Sequence, residues 1–394
     1  MSIDPSLGPV NNHLPTGKPG SLRFDPGSVT AIGSWPGTDA FAAARAVFDE
    51  LGEAPGLPHL PELPARGPGA DVTGRTASLL VDLPVDLQPS GWRLVDHPGR
   101  DLNRARSFFH QDLDVLAEVA DGYRGRLKLQ VAGPWTLAST LWLPRLERAV
   151  ADPGAVRDLI GSLAEGVSRH VAEVAALLPG AEIVLQVDEP GLPAVISGAL
   201  PTASGFGRLR AIEEPVVVEG LRTVLDAATA AGAVGTALHC CASETPIAAL
   251  VKTGVGALSL DLSLLRTADW EQIASAIEAG TSLWAGALPT SGLMPPVISG
   301  AKSSAASGPR SSARPGARSS AASGAVRGGT MPRPDAVADT VWTPWRTLGL
   351  SAASAGAVVL TPACGLAGAS PATAPRMLKL IKQAALVLAE RAAE

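Results

Sequence analysis

Along the chain, short apolar runs alternate with longer stretches in which apolar residues recur every three or four positions. The short runs are VTAIGSW (29–35), SLLVDL (78–83), LKLQVAG (127–133), EIVLQVDE (182–189), VGTALHC (234–240), ALSLDL (257–262), SLWAGAL (282–288) and AVVLTPA (357–363). Several are nearly continuous in apolar character, as strands covered on both faces are. Between them, residues 155–178, 216–232 and 268–280 place apolar side chains on one helical face, and the last two stretches close on Gly. A final helix over 374–394 begins with Pro375 in its first turn. Eight strands alternating with helices predict a single (β/α)8 TIM barrel, with a doubly wound open sheet as the competing arrangement.

One segment breaks the rhythm. Between Ala301 and Pro334 there is no acidic residue, and SSAASG occurs at both 303–308 and 319–324. So little apolar surface cannot offset chain entropy, so residues 298–334 are expected to form a disordered insertion after the seventh strand of a barrel spanning 1–394.

Composition narrows the function classes. At 394 residues and 46% hydrophobic content, the chain can bury a large core, while 18% charged residues and a net charge of −5 give no nucleic-acid footprint. The uncharged run 347–375 is broken by three prolines and lacks a continuous spanning stretch, so no membrane partner is expected. The N-terminus shows no basic region followed by an apolar one, which points to the cytoplasm. Three cysteines, two of them adjacent, make a poor disulfide framework and leave core thiols or metal ligands.

Those cysteines raise the chemical question. On a strand, His239 and Cys241 share a face while Cys240 points away. Alone, H-x-C is a weak signal and reads more readily as a buried histidine beside small apolar thiols. Cys364, after the eighth strand, and Asp261, in the sixth, change this, because strand ends converge on one mouth in a barrel. One nitrogen and two thiolates suit Zn2+, with Asp261 as a weak, displaceable oxygen ligand.

At this point the chain resembles the catalytic C-terminal domain of cobalamin-independent methionine synthases, in the barrel superfamily that includes uroporphyrinogen decarboxylase. The resemblance rests on AIGSWPGTD (31–39), VAGPWTLAST (131–140), LQVDEPGLP (185–193), HCC (239–241) and TPACGL (361–366), in that order over nearly the whole chain. It implies a zinc-dependent S-methyltransferase that makes methionine from homocysteine. By similarity, Asp188 holds the substrate ammonium, with Glu62 as a looser second carboxylate, and Ile32, Gly33 and Ser34 take the substrate carboxylate.

The chain also departs from that family. Asp261 stands where Glu is usual, the chain has no room for a duplicated barrel, and the loop GALPTSGLMPP (286–296) lacks an Asp-x-His acid. No general acid is identified, and the donor is left between methyltetrahydrofolate and a methyl-corrinoid. Another acceptor thiol, or a non-catalytic zinc barrel, are the alternatives; a porphyrin-type decarboxylase predicts no zinc cysteines.

Overall fold

A computed structural model describes residues 22–145, 147–290 and 331–394. Its centre is a curled parallel sheet of six strands in sequential order: β3 (Arg126–Ala132), β4 (Glu182–Asp188), β5 (Gly235–Cys240), β6 (Ala257–Asp261), β7 (Ser282–Leu288) and β8 (Val359–Pro362). A separate antiparallel hairpin precedes it, β1 (Val85–Gln88) with β2 (Gly91–Leu94), and the apolar pattern did not announce it.

Helices cover the outside of the sheet. The longest, Pro153–Leu177, starts where Asp152 accepts hydrogen bonds from the N–H groups of Gly154 and Ala155. It buries Val156, Leu159, Leu163, Val167, Val171 and Val174, a stripe at three- and four-residue spacing. Helices Glu214–Ala230, Thr267–Glu278 and Thr373–Ala393 fall where the sequence pattern puts them, to within two residues. No helix among the described residues is long and apolar enough to cross a membrane.

Six of the eight expected strands form. The segment 78–83 is a correction: after the short helix Val72–Ala77 it turns back, with the Leu79 and Leu80 N–H groups bonded to Thr76 and Ala77. Its apolar residues fill the space under neighbouring helices instead. The expected first strand, 29–35, makes only isolated parallel bridges, from Val29 to Leu360 and Gly56 and from Ser34 to Glu62. A second extended stretch bridges His59 to Lys128 of β3. Two irregular stretches thus lie between β8 and β3. The expected insertion 298–334 lies outside the described residues up to Thr330, and the helix Pro334–Thr347 begins at its end.

Strand alternation sorts the core into two layers. Ile183, Leu185, Val187, Leu238, Leu258, Leu260, Leu283 and Leu360 pack under the helices. Val184, Ala237, Ala257, Trp284 and Val359, each one residue out of phase, form a second cluster with Leu22 and Leu57 on the concave face.

Candidate metal centre

Two residues beyond that inner cluster, the concave face turns polar. Parallel register sets Asp188 beside His239 and His239 beside Ser259. Cys241 directly follows β5, and Cys364 follows β8 by two residues. One donor atom from each of His239, Cys241 and Cys364 lies within 4.8 Å of the others, and the two sulfurs are 3.2 Å apart. Cys240 is buried on the opposite side, where the Thr245 hydroxyl donates to its sulfur over 3.2 Å.

The three residues fit a metal. His239 Nδ1 lies 3.2 Å from the Ser259 carbonyl and 3.1 Å from its hydroxyl; the tautomer in which Nδ1–H donates to the carbonyl leaves the Nε2 lone pair for a metal. That Nε2 is buried without a hydrogen-bond partner among the described residues. A buried orphan nitrogen facing two sulfurs is costly unless something binds it. The sulfurs are unequal: the hydrogen bond to Cys364 and burial push the Cys241 thiol up, while that same bond and His239 pull Cys364 below the ordinary thiol range. One nitrogen and two sulfurs, the soft ligand set of zinc sites, suit zinc.

Asp261 is not gathered into this group. Its Oδ1 accepts from the backbone N–H of Ser263 at 2.9 Å and from the Ser263 hydroxyl at 2.6 Å, capping the short 3-10 turn Leu262–Leu264. The expected oxygen ligand is occupied locally, by the side chain–backbone bonding that Asp favours at a strand end.

The residues expected to hold an amino acid do come together beside the sulfurs. Gln186 links two of them, its Nε2 donating to the Ile32 carbonyl at 2.9 Å and to Asp188 Oδ1 at 2.6 Å. Glu62 is tied to the Gly33–Trp35 turn by backbone bonds of 3.1 and 2.8 Å. A Cβ on Gly365 would collide with Ser34 Oγ, so this glycine lets the turn lie against the loop that carries Cys364. Burial pushes the Asp188 carboxyl up, opposed by His239, Lys128 and Gln186. Burial likewise pushes Glu62 to about 7, against the pull of Arg75, whose Nε is 3.6 Å away.

One residue here carries no motif. Lys128 is fully buried; desolvation lowers its amine to about 7, while Asp188 and Glu62 pull it back up. Its signal was available as polar Lys128 and Gln130 on alternate positions of an apolar strand, matched by Gln186 and Asp188 on the next. Glu189, buried, caps the helix Pro134–Thr140, accepting from the Trp135 N–H at 3.0 Å and from the Thr136 N–H and hydroxyl, each at 2.7 Å. A Cβ at Gly133 would collide with that carboxylate, which explains the glycine before Pro134. The Asp-Glu pair therefore divides its work: Asp188 faces the site and Glu189 holds the neighbouring loop.

No protein-family model matches the sequence, and no curated protein does. Among solved structures, the fold is similar to that of a B12-independent methionine synthase from Shewanella sp. W3-18-1 in complex with selenomethionine, with a TM-score of 0.52 and 13% identity over 94% of this chain and 96% of that one. A putative vitamin-B12 independent methionine synthase from Listeria monocytogenes matches with a TM-score of 0.45 and 13% identity, over 94% of this chain and 98% of that one. At such identity the likeness is one of fold.

Proposed function

We propose that the protein is a zinc-dependent S-methyltransferase that converts homocysteine to methionine in the cytoplasm, with methyltetrahydrofolate or a methyl-corrinoid as donor. The observation that carries this reading is the trio His239, Cys241 and Cys364, with its orphan Nε2, set beside the buried polar groups Asp188, Gln186 and Glu62. In this reading the two extended stretches around Val29 and His59 complete an eightfold ring around the site. The similar structure from Shewanella, a methionine synthase holding selenomethionine, supports the choice of amino acid.

The chain's own residues divide the task. Asp188 and Glu62 receive the substrate ammonium, and the Ile32–Ser34 turn receives its carboxylate. That orientation directs the substrate side chain toward Cys241 and Cys364. When bound there, zinc would supply Lewis acidity that keeps a coordinated thiol ionised at neutral pH. His239, held by Ser259, presents its ring without a rotamer search.

The test is to incubate zinc-loaded protein with L-homocysteine and each donor in turn and to measure methionine by mass spectrometry. Zinc K-edge absorption on the same samples should change from two to three sulfur neighbours when homocysteine is added. Methylation of a different thiol would reassign the acceptor. An unchanged two-sulfur shell with no methyl transfer would leave a structural zinc and end the proposal.

A further inference from the structure

Beneath the Ile32–Ser34 turn lies a buried cation whose geometry assigns it a task. Lys128 Nζ donates to the Ile32 carbonyl over 2.6 Å and to Gln130 Oε1 over 3.3 Å, and Gln186 Nε2 donates to the same Ile32 carbonyl over 2.9 Å. Two donors on one carbonyl draw it into the interior. In a trans peptide the carbonyl and the following N–H point in opposite directions, so the Gly33 N–H is turned outward. Neither the Gly33 nor the Ser34 N–H donates to another group among the described residues. Gly33 lies flat against the side chain of Gln130, where a Cβ would fall 2.7 Å from Cγ. Two successive N–H groups without a partner among the described residues, beside the Ser34 hydroxyl, are donors open to an anion.

We infer that Lys128 is the positioning residue for the carboxylate end of the amino-acid site, holding the Ile32 carbonyl inward so that the Gly33 and Ser34 N–H groups face the ligand. It rests on the amino-acid-binding part of the function proposed above. The buried ammonium also places a positive charge under a bound carboxylate. Asp188 and Glu62 face Lys128 as counter-charges, so the lysine stands between the two halves of a zwitterion site. Lys128 touches no substrate; it acts through the peptide it holds and, chiefly, through the charge it sets beneath the carboxylate.

The experiment titrates zinc-loaded protein by calorimetry at pH 6.5 with L-methionine and with L-methioninamide, which keeps the amine and thioether but lacks the carboxylate. Lys128→Met should weaken L-methionine binding by about 30-fold, the scale of breaking a buried charged hydrogen bond. The amide should change by less than about threefold, because its carboxamide does not need the charge. A structural role alone would weaken both ligands together, and that result, like unchanged binding of both, would overturn the inference. If Lys128→Met does not fold, Lys128→Gln, which keeps a donor for Ile32 without the charge, should show the same selectivity with a smaller loss. Wild-type protein that binds L-methionine but yields variants without selectivity refutes the role of Lys128 alone. Wild-type protein that binds no L-methionine refutes the amino-acid reading and this inference with it.

Discussion

The two ends of the concave face are built from the same strands and differ by a step of two residues. Toward the strand starts, Val184, Ala237, Ala257, Trp284 and Val359 pack as an apolar plug with Leu22 and Leu57. Two positions on, these strands carry Gln186, His239, Ser259, Gly286 and Thr361, and a further step reaches Asp188 and Cys241. The plug is held by non-directional burial, so its residues can exchange for others of similar volume at modest cost. The polar end is held by directional bonds among largely buried groups, where a lost partner leaves a group stranded. One end is apolar and exchangeable, and the other is polar and tied to particular partners.

Perturbations should follow that contrast. The largest effect is expected from Cys241→Ser or Cys364→Ser, which remove a soft ligand and should lower zinc affinity by at least about a hundredfold. Competition with a metal chromophore measures it; equal affinity in either variant would separate that cysteine from the metal. Next comes Glu189→Ala, which strands the Trp135 and Thr136 N–H groups at the mouth and should cost about 3 kcal/mol in urea unfolding. A loss under about 1 kcal/mol would mean that the loop finds other partners.

A smaller, pH-dependent difference should separate wild type from Lys128→Met. The folded-state amine sits near 7 against an ordinary 10.5, because burial disfavours the ammonium despite the nearby carboxylates of Asp188 and Glu62. The folded protein therefore binds fewer protons than the unfolded chain between these values, and the penalty is complete below the lower one. Wild-type stability relative to the variant should rise as pH climbs from 7 toward 10.5. Paired melts with a constant gap would show that the amine is not desolvated.

The smallest effects should come from residues that adjoin the site without entering it. Asp261→Ala should lose a cap worth about 1 kcal/mol and leave zinc content unchanged. Cys240→Ala should also retain zinc, since its sulfur is on the helix side of β5 and bonded to Thr245. Zinc loss in either variant would redraw the ligand set.

The amino-acid sequence by itself determined the elements whose signal is local. Short, nearly continuous apolar runs located six strands and the 3.6-residue period located four helices, though not Arg100–Val119, and the H-x-C spacing put His239 and Cys241 on one face, since alternation is fixed by backbone geometry. Cys364, 123 residues from Cys241, came within reach only through the curl of the sheet. Tertiary structure also decided what local patterns could not. The apolar stretch 78–83 became a turn because helices, not strands, surround it, and the register that would have made it a strand went to the segment around His59. Asp261 was drawn to Ser263 by a bond two residues away, a choice that a carboxylate's identity leaves open. Lys128 took its meaning from Ile32, 96 positions earlier, because a charge buried in a sheet is defined by the partners that the fold brings to it.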